Sequence, residues 1–375
     1  MPAAAKLSPA VTPIALAPSP KRPTVALVSG FWGQNIGNAF FNIGGKWILE
    51  QVFGEGSVAF IQDQPGYRTF HDQSKGNPAN DIEFLRLLDC EYVVLQGPLL
   101  TLGYEKLWRR TFAELTARGT KIILLGAAFF KFRPEEFAAA RAFIEEFKPA
   151  LISTRDSRSY EEIKSWGLDI PLFDGMDSAF FAPKAYTPFA LAGPPYFAFN
   201  FDRYPEPTVT IGSTKTATAD TAFEWQGQWW SLETPKLVSK LAHRSKVQAY
   251  LGHLLDNRKL PAELAGRTVL RPEHRFNPHM TYKIYQHPNA VASDEPWTYF
   301  NIYANAELVL ADRVHACVAA LAYGRPAMLF TPSPRQALFA RVGAGEIRNR
   351  PVTVDGDWLE EERAKEVAWV KDVVG

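Results

Sequence analysis

Arg313 and His315 stand two residues apart, between two apolar runs, in the segment Glu307 to Phe330, ELVLADRVHACVAALAYGRPAMLF. A guanidinium grips carboxylate or phosphate in a planar fork, and an imidazole exchanges protons near neutral pH. Such a pair suits chemistry on an anionic substrate that needs a proton. The elements around it must hold it in place. Glu307 to Ala311 is an apolar run of strand length, and Asp312 is a natural N-cap for a helix whose first turn holds Arg313 and His315. Val314, Cys317, Val318 and Leu321 recur at helical spacing, Gly324 falls where a C-cap belongs, and Pro326 to Phe330 forms the next strand. Ligands of open α/β sheets bind beyond the carboxyl ends of the strands, at helix N-termini that favour anions. A structural alternative stands beside each role: His315 as a helix-start histidine without chemistry, and Arg313 as the ion-pair partner of Asp312 or Asp294.

Other clusters suit the same anion. Arg155 and Asp156 follow the apolar run Ala150 to Ser153, where either a ligand contact or ordinary loop and cap chemistry fits. Glu273-His274-Arg275, with His279 and His287 further on, carry the charge to hold a phosphate, and His274 follows an expected strand over Arg267 to Leu270. Zinc suits this cluster poorly, because neither H-x-x-x-H nor a Cys/His spacing recurs and no helix is expected there. Gly33 and Gly37, with Asn35 between them, offer backbone amides to an anion. The segment Phe223 to Trp230, FEWQGQWW, places Trp225, Trp229 and Trp230 close together. It serves either as a loop whose indole faces stack on sugar rings or as an aromatic plug between domains. Asp294, Glu295 and Trp297 precede an expected helix over Trp297 to Asn305 and read equally as its cap and first-turn acids.

From Thr24 to Phe173, apolar strand-length runs alternate with helical stretches, and a second series starts at Tyr196 after the Pro- and Gly-rich stretch Pro183 to Pro195. Alternation at this spacing means crossover units and parallel sheets. At 375 residues the chain exceeds the size at which one hydrophobic core stops growing. The expectation is an α/β protein of two doubly wound, Rossmann-like domains facing a cleft, over residues 23–190 and 191–355. Residues 1–22, Ala- and Pro-rich without a period, read as a disordered extension, and residues 356–375 as a helix that packs back on the first domain. The second series also predicts helices near Pro235 to His243 and Arg335 to Val342, and a strand over Val247 to Leu251.

With 41 Lys and Arg against 40 Asp and Glu, the chain has no charge excess to favour nucleic acid or an acidic membrane surface. No run approaches the roughly 18 apolar residues of a membrane span and no secretory signal is recognisable, so a cytoplasmic location is expected. Cys90 and Cys317 are too few for a disulfide framework. GxSxG, GxxxxGK[ST] and a GxGxxG after the first strand are missing, which argues against serine hydrolase, P-loop and simple dinucleotide chemistry.

A strand followed by Arg, an apolar residue, His and a small-residue helix ending Gly-x-Pro, as over Arg313 to Pro326, resembles the signature of the polysaccharide pyruvyltransferase family. Gln34-Asn35-Ile36-Gly37-Asn38 resembles that family's Asn-x-Gly-Asp turn, with Asn38 in place of the acid. Ile152 to Ser159, ISTRDSRS, with Asp174 downstream, resembles its Arg-Asp-x-x-Ser stretch. Where the family often has a glycine-rich turn, Gly97, Gly103 and Tyr104 are present but Pro98-Leu99-Leu100 departs from it.

The resemblance implies a GT-B-like arrangement, phosphoenolpyruvate as donor, and a pyruvate ketal on two hydroxyls of a sugar acceptor as product. It casts His315 as general acid and Arg313 as anion clamp, with Arg155, His274, Arg275, Asn35 and Gly37 toward the donor. Trp225, Trp229 and Trp230 would face the acceptor. No metal and no cofactor beyond the co-substrate phosphoenolpyruvate is required. Two rival classes share these marks: a GT-B glycosyltransferase using a nucleotide sugar, and a non-catalytic glycan-binding relative, to which Asn38 and the altered glycine turn would be natural.

Overall fold

The computed structural model describes residues 22–30, 32–33, 35–62, 84–202, 204–236, 255–274 and 285–375. Two six-stranded sheets organise them. The first is built from β1 (Val25–Ser29), β2 (Val58–Gln62), β3 (Tyr92–Leu100), β4 (Lys121–Phe129), β5 (Leu151–Thr154) and β6 (Leu172–Phe173). Their order is β2-β1-β3-β4-β5-β6, with every neighbour parallel. β1 and β5 are buried along their whole length, as central strands of a sheet covered on both faces must be. The side chains of α1 (Gly37–Phe53) meet one face through Leu27, Val94 and Ile123, while α2 (Tyr104–Ala117) and α3 (Pro134–Phe147) meet the alternate residues Val28, Val93 and Leu124 on the other. α4 (Ser157–Ser165) opens on Asp156, whose Oδ1 accepts from Ser159 N at 2.8 Å.

After the one-turn helix α5 (Ala182–Ala185), β7 (Tyr196–Asn200) begins the second sheet. The chain then leaves it for a three-stranded antiparallel sheet of β8 (Thr208–Gly212), β9 (Thr221–Trp225) and β10 (Gln228–Glu233), ordered β8-β10-β9. It returns as β11 (Glu263–Leu264), β12 (Arg267–Glu273), β13 (Ala290–Ala292), β14 (Leu308–Ala311) and β15 (Ala327–Leu329). The order is β11-β12-β7-β14-β15 with β13 beside β12, all parallel except β11. Between and after these strands lie α6 (Pro296–Asn305), α7 (Val314–Ala322), α8 (Ala337–Arg341) and α9 (Gly356–Val374).

Two local expectations are corrected here. FEWQGQWW is no loop: Gln226 and Gly227 both take positive φ, 51° and 74°, the two-residue turn that matches the twist of a β-hairpin. Among the described residues that hairpin packs Phe223, Trp230 and Leu232 on the face of the second sheet that carries Phe197, Phe199, Leu308 and Leu310. The N-cap of α7 is Arg313, not Asp312, and the Asp312 carboxylate instead accepts from Tyr204 N at 2.7 Å. Gly324 does stand just past α7 at φ 73°, where only glycine is unstrained. Residues 1–21, Arg275, the expected strand Val247 to Leu251 and nearly all of the expected helix Pro235 to His243 lie outside the described residues.

One apolar cluster joins the two sheets. It takes Val25 and Leu27 from the first, Tyr196, Ala198 and Val309 from the second, and α1, α6 and α7 between them. α7 is buried at all nine positions, which its small residues allow. α9 adds Leu359 and Val370, and Trp369 stacks on Phe173 of β6 with centroids 5.0 Å apart. Among the described residues no helix is long and apolar enough to cross a membrane.

Candidate functional site

The carboxyl edges of the two sheets meet at His315. This residue is 4 % exposed on the first turn of α7 and directs Nε2 to Asp177 Oδ2 at 3.4 Å. Arg155, just beyond β5 and equally buried, donates from Nη1 to the same oxygen at 3.1 Å. The other oxygen of Asp177 accepts from Ala179 N at 3.0 Å and so caps the short 3₁₀ helix Ser178–Phe181. α1 closes the remaining side. A Cβ on Gly37 would lie 3.1 Å from His315 Cβ and 3.2 Å from Nδ1, so a larger residue would press on the imidazole. The Phe41 ring lies 5.3 Å from it.

Burial pulls the His315 pKa below its ordinary 6.5; Asp177 opposes this without prevailing, and Arg335 and Arg155 add to the fall. Burial also opposes the charge of Asp177, but His315 and Arg155 outweigh it and hold that carboxyl far below the usual range. Asp177 is therefore held ionised, gripped by Arg155, and the imidazole beside it gives up its proton more readily than an ordinary histidine.

On the second sheet, Arg313 is buried among carboxylates. Its Nε donates to Asp202 Oδ1 and lies 3.7 Å from Asp312 Oδ1. Burial works against its charge, yet Asp202 and Asp312 hold its pKa above the ordinary value. Glu273 moves in the opposite sense: burial, then Asp202 and Asp312, raise its carboxyl well above the usual range. Arg155 Nε and Arg313 Nη2 are among the buried guanidinium nitrogens that have no hydrogen-bond partner among the described residues. Orphaned buried donors are costly, and an anion would satisfy them.

His274 presents a different picture. Its backbone N–H donates to Asp202 Oδ2 at 3.2 Å and its carbonyl accepts from Ile36 N at 3.0 Å, fastening the entry to α1. The imidazole is turned into an aromatic cage, with Nε2 at 2.6 Å from Tyr303 OH and the Phe40 and Tyr299 rings edge-on at 5.4 and 5.3 Å. Asn35 Nδ2 donates to Asn38 Oδ1 at 3.2 Å. The structure thus brings His315, Arg155 and Gly37 together, while Arg313 and His274 share the carboxylate of Asp202.

Trp230 is not placed to stack on a sugar, and Trp225 is half-buried against the same core. Trp230 is 1 % exposed inside the core between the hairpin and the second sheet, with its ring 5.1 Å from Phe197 and 5.4 Å from Trp225. Trp229, on the alternate face of β10, is half-buried. A cavity of about 490 Å³ opens between Arg158 on α4 and the loop Pro332 to Ala337. A larger hollow of about 690 Å³, lined by Tyr92, Lys121 and Ala150, lies at the amino ends of β3, β4 and β5, away from His315. No group of three His, Cys, Asp or Glu side chains among the described residues could hold a metal ion.

Sequence reasoning missed Asp177 and Asp202, and with them a buried polar chain behind the site. Asn42 Nδ2 donates to Gln96 Oε1 and Gln96 Nε2 to Ser178 Oγ, both at 3.1 Å. Gly44 and Gly45 make room for it: a Cβ would lie 1.8 Å from Ser178 O at the first and 1.8 Å from Gln96 Nε2 at the second. Paired glycines inside a helical stretch were the available signal. For Asp177 the signal was an acid just ahead of the short apolar run Ser178 to Phe181, the position of a cap.

Fold and site together define a GT-B-like α/β protein with a buried His, Asp and Arg where its two sheets meet. The chain belongs to the polysaccharide pyruvyl transferase family, whose model matches residues 35–334. No curated protein matches it in sequence. A solved UDP-N-acetylglucosamine 2-epimerase shares the fold with a TM-score of 0.50 at 10 % identity, over 93 % of this chain and 95 % of its own. MnaA from S. aureus in complex with UDP gives 0.48 at 11 % identity, over 93 % and 97 %. The UDP-GlcNAc 2-epimerase from Neisseria meningitidis, bound to UDP-GlcNAc, gives 0.47 at 10 %, over 93 % and 99 %. At such identities the likeness concerns the fold alone.

Proposed function

We propose that this chain transfers pyruvate from phosphoenolpyruvate to two hydroxyls of a sugar acceptor, forming a pyruvate ketal on a glycan or glycan precursor, with no metal or further cofactor. Family membership supports the class of reaction. The observation that carries the residue-level reading is the convergence of His315 and Arg155 on Asp177, beside guanidinium nitrogens left without partners. The donor brings a phosphate and a carboxylate, which suit Arg155, Arg313 and the N-terminus of α7.

Burial depresses the His315 pKa before the donor arrives, and an anion placed beside it favours the imidazolium and raises that pKa. The imidazolium gives its proton to the enol methylene carbon, which becomes a methyl group and leaves a cationic carbon still bearing phosphate. One acceptor hydroxyl adds to that carbon. The carbon–oxygen bond to phosphate then breaks, its electron pair leaving on phosphate, and the second hydroxyl closes the ketal. Of the two hydroxyl protons, one restores His315 and the other leaves with phosphate. Asp177 keeps the imidazole oriented and stabilises its charge.

The test is release of inorganic phosphate from phosphoenolpyruvate in the presence of a panel of hexosides with free hydroxyl pairs. Acceptor-dependent release by the wild type is expected. Turnover of nucleotide sugars with phosphoenolpyruvate left intact would assign the chain to glycosyl transfer instead.

A further inference from the structure

α9 reaches the back of the site through a set of contacts that the chemistry above does not use. Glu366, fully buried, accepts from Ser153 Oγ at 2.5 Å and from Met176 N at 3.2 Å. Ser153 lies two residues before Arg155, and Met176 immediately precedes Asp177. One turn earlier on the same helix, Arg363 donates from Nε to Phe180 O at 2.9 Å and from Nη2 to Ala322 O, the end of α7, at 3.4 Å. Arg341 of α8 donates to Asp174 O at 2.8 Å and to Glu362 Oε2 of α9 at 2.6 Å. The segment 174–181 is therefore held at its start, at its middle and near its end, with Asp177 between the fastenings. Gly175 lets the carboxylate come this close, since a Cβ there would lie 2.6 Å from Glu366 Oε1 and 2.3 Å from Ser153 Oγ.

We propose that Glu366 is a positioning residue for the reacting centre: its carboxylate, on the C-terminal helix, sets the place of Asp177 and Arg155 relative to His315. A carboxylate taken wholly out of water needs more than apolar packing to justify it, and here it satisfies a backbone N–H and a hydroxyl belonging to the two segments that must be in register. Burial raises its pKa to about 7, and the bonds from Ser153 and Met176 pull the other way by favouring the ionised form. The charged groups facing Glu366 are Arg341 and Asp174, and those facing His315 are Asp177, Arg155 and Arg335. The catalytic consequence rests on the proposed role of His315, but the placement does not.

The experiment is an NMR titration of the full chain with ¹³C-labelled histidine, following His315 in wild type, Asp177→Asn, Glu366→Ala and Glu366→Asp. Removing the Asp177 charge should lower the His315 midpoint by about one to three pH units, the usual effect of an opposite charge at this range. Both Glu366 variants should lower it in the same direction, the Asp variant because its carboxylate is withdrawn from Met176 N by one methylene. Where Glu366→Ala does not fold, Glu366→Asp decides. A folded Glu366 variant whose His315 midpoint equals that of wild type overturns the proposal, even if its melting temperature falls. Because the readout needs no donor, a failure of the transferase assignment leaves this result standing on its own.

Discussion

The depressed pKa of His315 in the free protein gives the pH dependence a definite sign. Its folded pKa lies below 6.5, so the proton needed for transfer is bound at low pH and lost as pH rises through that value. We predict that kcat/KM, which reports the free protein, falls with rising pH along a limb placed below 6.5, while the same limb in kcat sits higher because the bound donor raises the imidazole pKa. A kcat/KM that climbs through this window would mark His315 as a base. His315→Ala should lower turnover by roughly 100- to 10,000-fold with the near-UV circular dichroism unchanged. Arg313→Ala should act on stability as well as on donor binding, since it takes the facing guanidinium from the buried Asp202 and Asp312; breaking a buried pair costs about 3–5 kcal/mol, readable by urea unfolding. A variant as stable as wild type would show that neither carboxylate depends on it. Arg313, His315 and Arg155 were legible because each stands directly beyond an apolar strand run. Asp177 was not, because it meets His315 across 138 positions of sequence and only the fold brings them together.

At the scale of elements, periodicity told strand from helix wherever an element packs on one regular face. β1, β3, β4, β5 and β14, with the helices after them, follow from their apolar runs. The three-stranded antiparallel sheet did not, because its aromatic residues fit stacking on a ligand as well as they fit a core. The decisive feature was the positive-φ turn at Gln226 and Gly227. α9 shows a related limit: its apolar residues were readable, but Glu366 and Arg363 look like surface charge until their partners are known. Glu366 supplies a test. Its folded pKa is raised from 4.5 to about 7, so its ionisation favours the unfolded chain, and stability is lost as pH rises across that window. Relative to wild type, Glu366→Gln should be equally stable at pH 4.5 and more stable above pH 7, by up to about 3 kcal/mol. A stability difference independent of pH would contradict the burial of that charge.

In the whole molecule, the shared cluster that runs from β1 through α1, α6 and α7 to α9 leaves neither sheet with a core of its own on that side. Calorimetry should therefore give one unfolding transition. Two resolved transitions would show that the halves fold independently despite the shared surface. The same packing brings the carboxyl edges of both sheets to His315 and makes the site a property of the complete fold. The central claim is that His315 protonates the methylene carbon of phosphoenolpyruvate on the way to a ketal. It is tested most directly by running the reaction in heavy water with a hexoside acceptor and weighing the product. The account predicts a product heavier by one pyruvate less one water, with one solvent-derived deuterium in the new methyl group, formed by wild type and not by His315→Ala. A ketal without solvent deuterium, or one formed equally well by the variant, would contradict it.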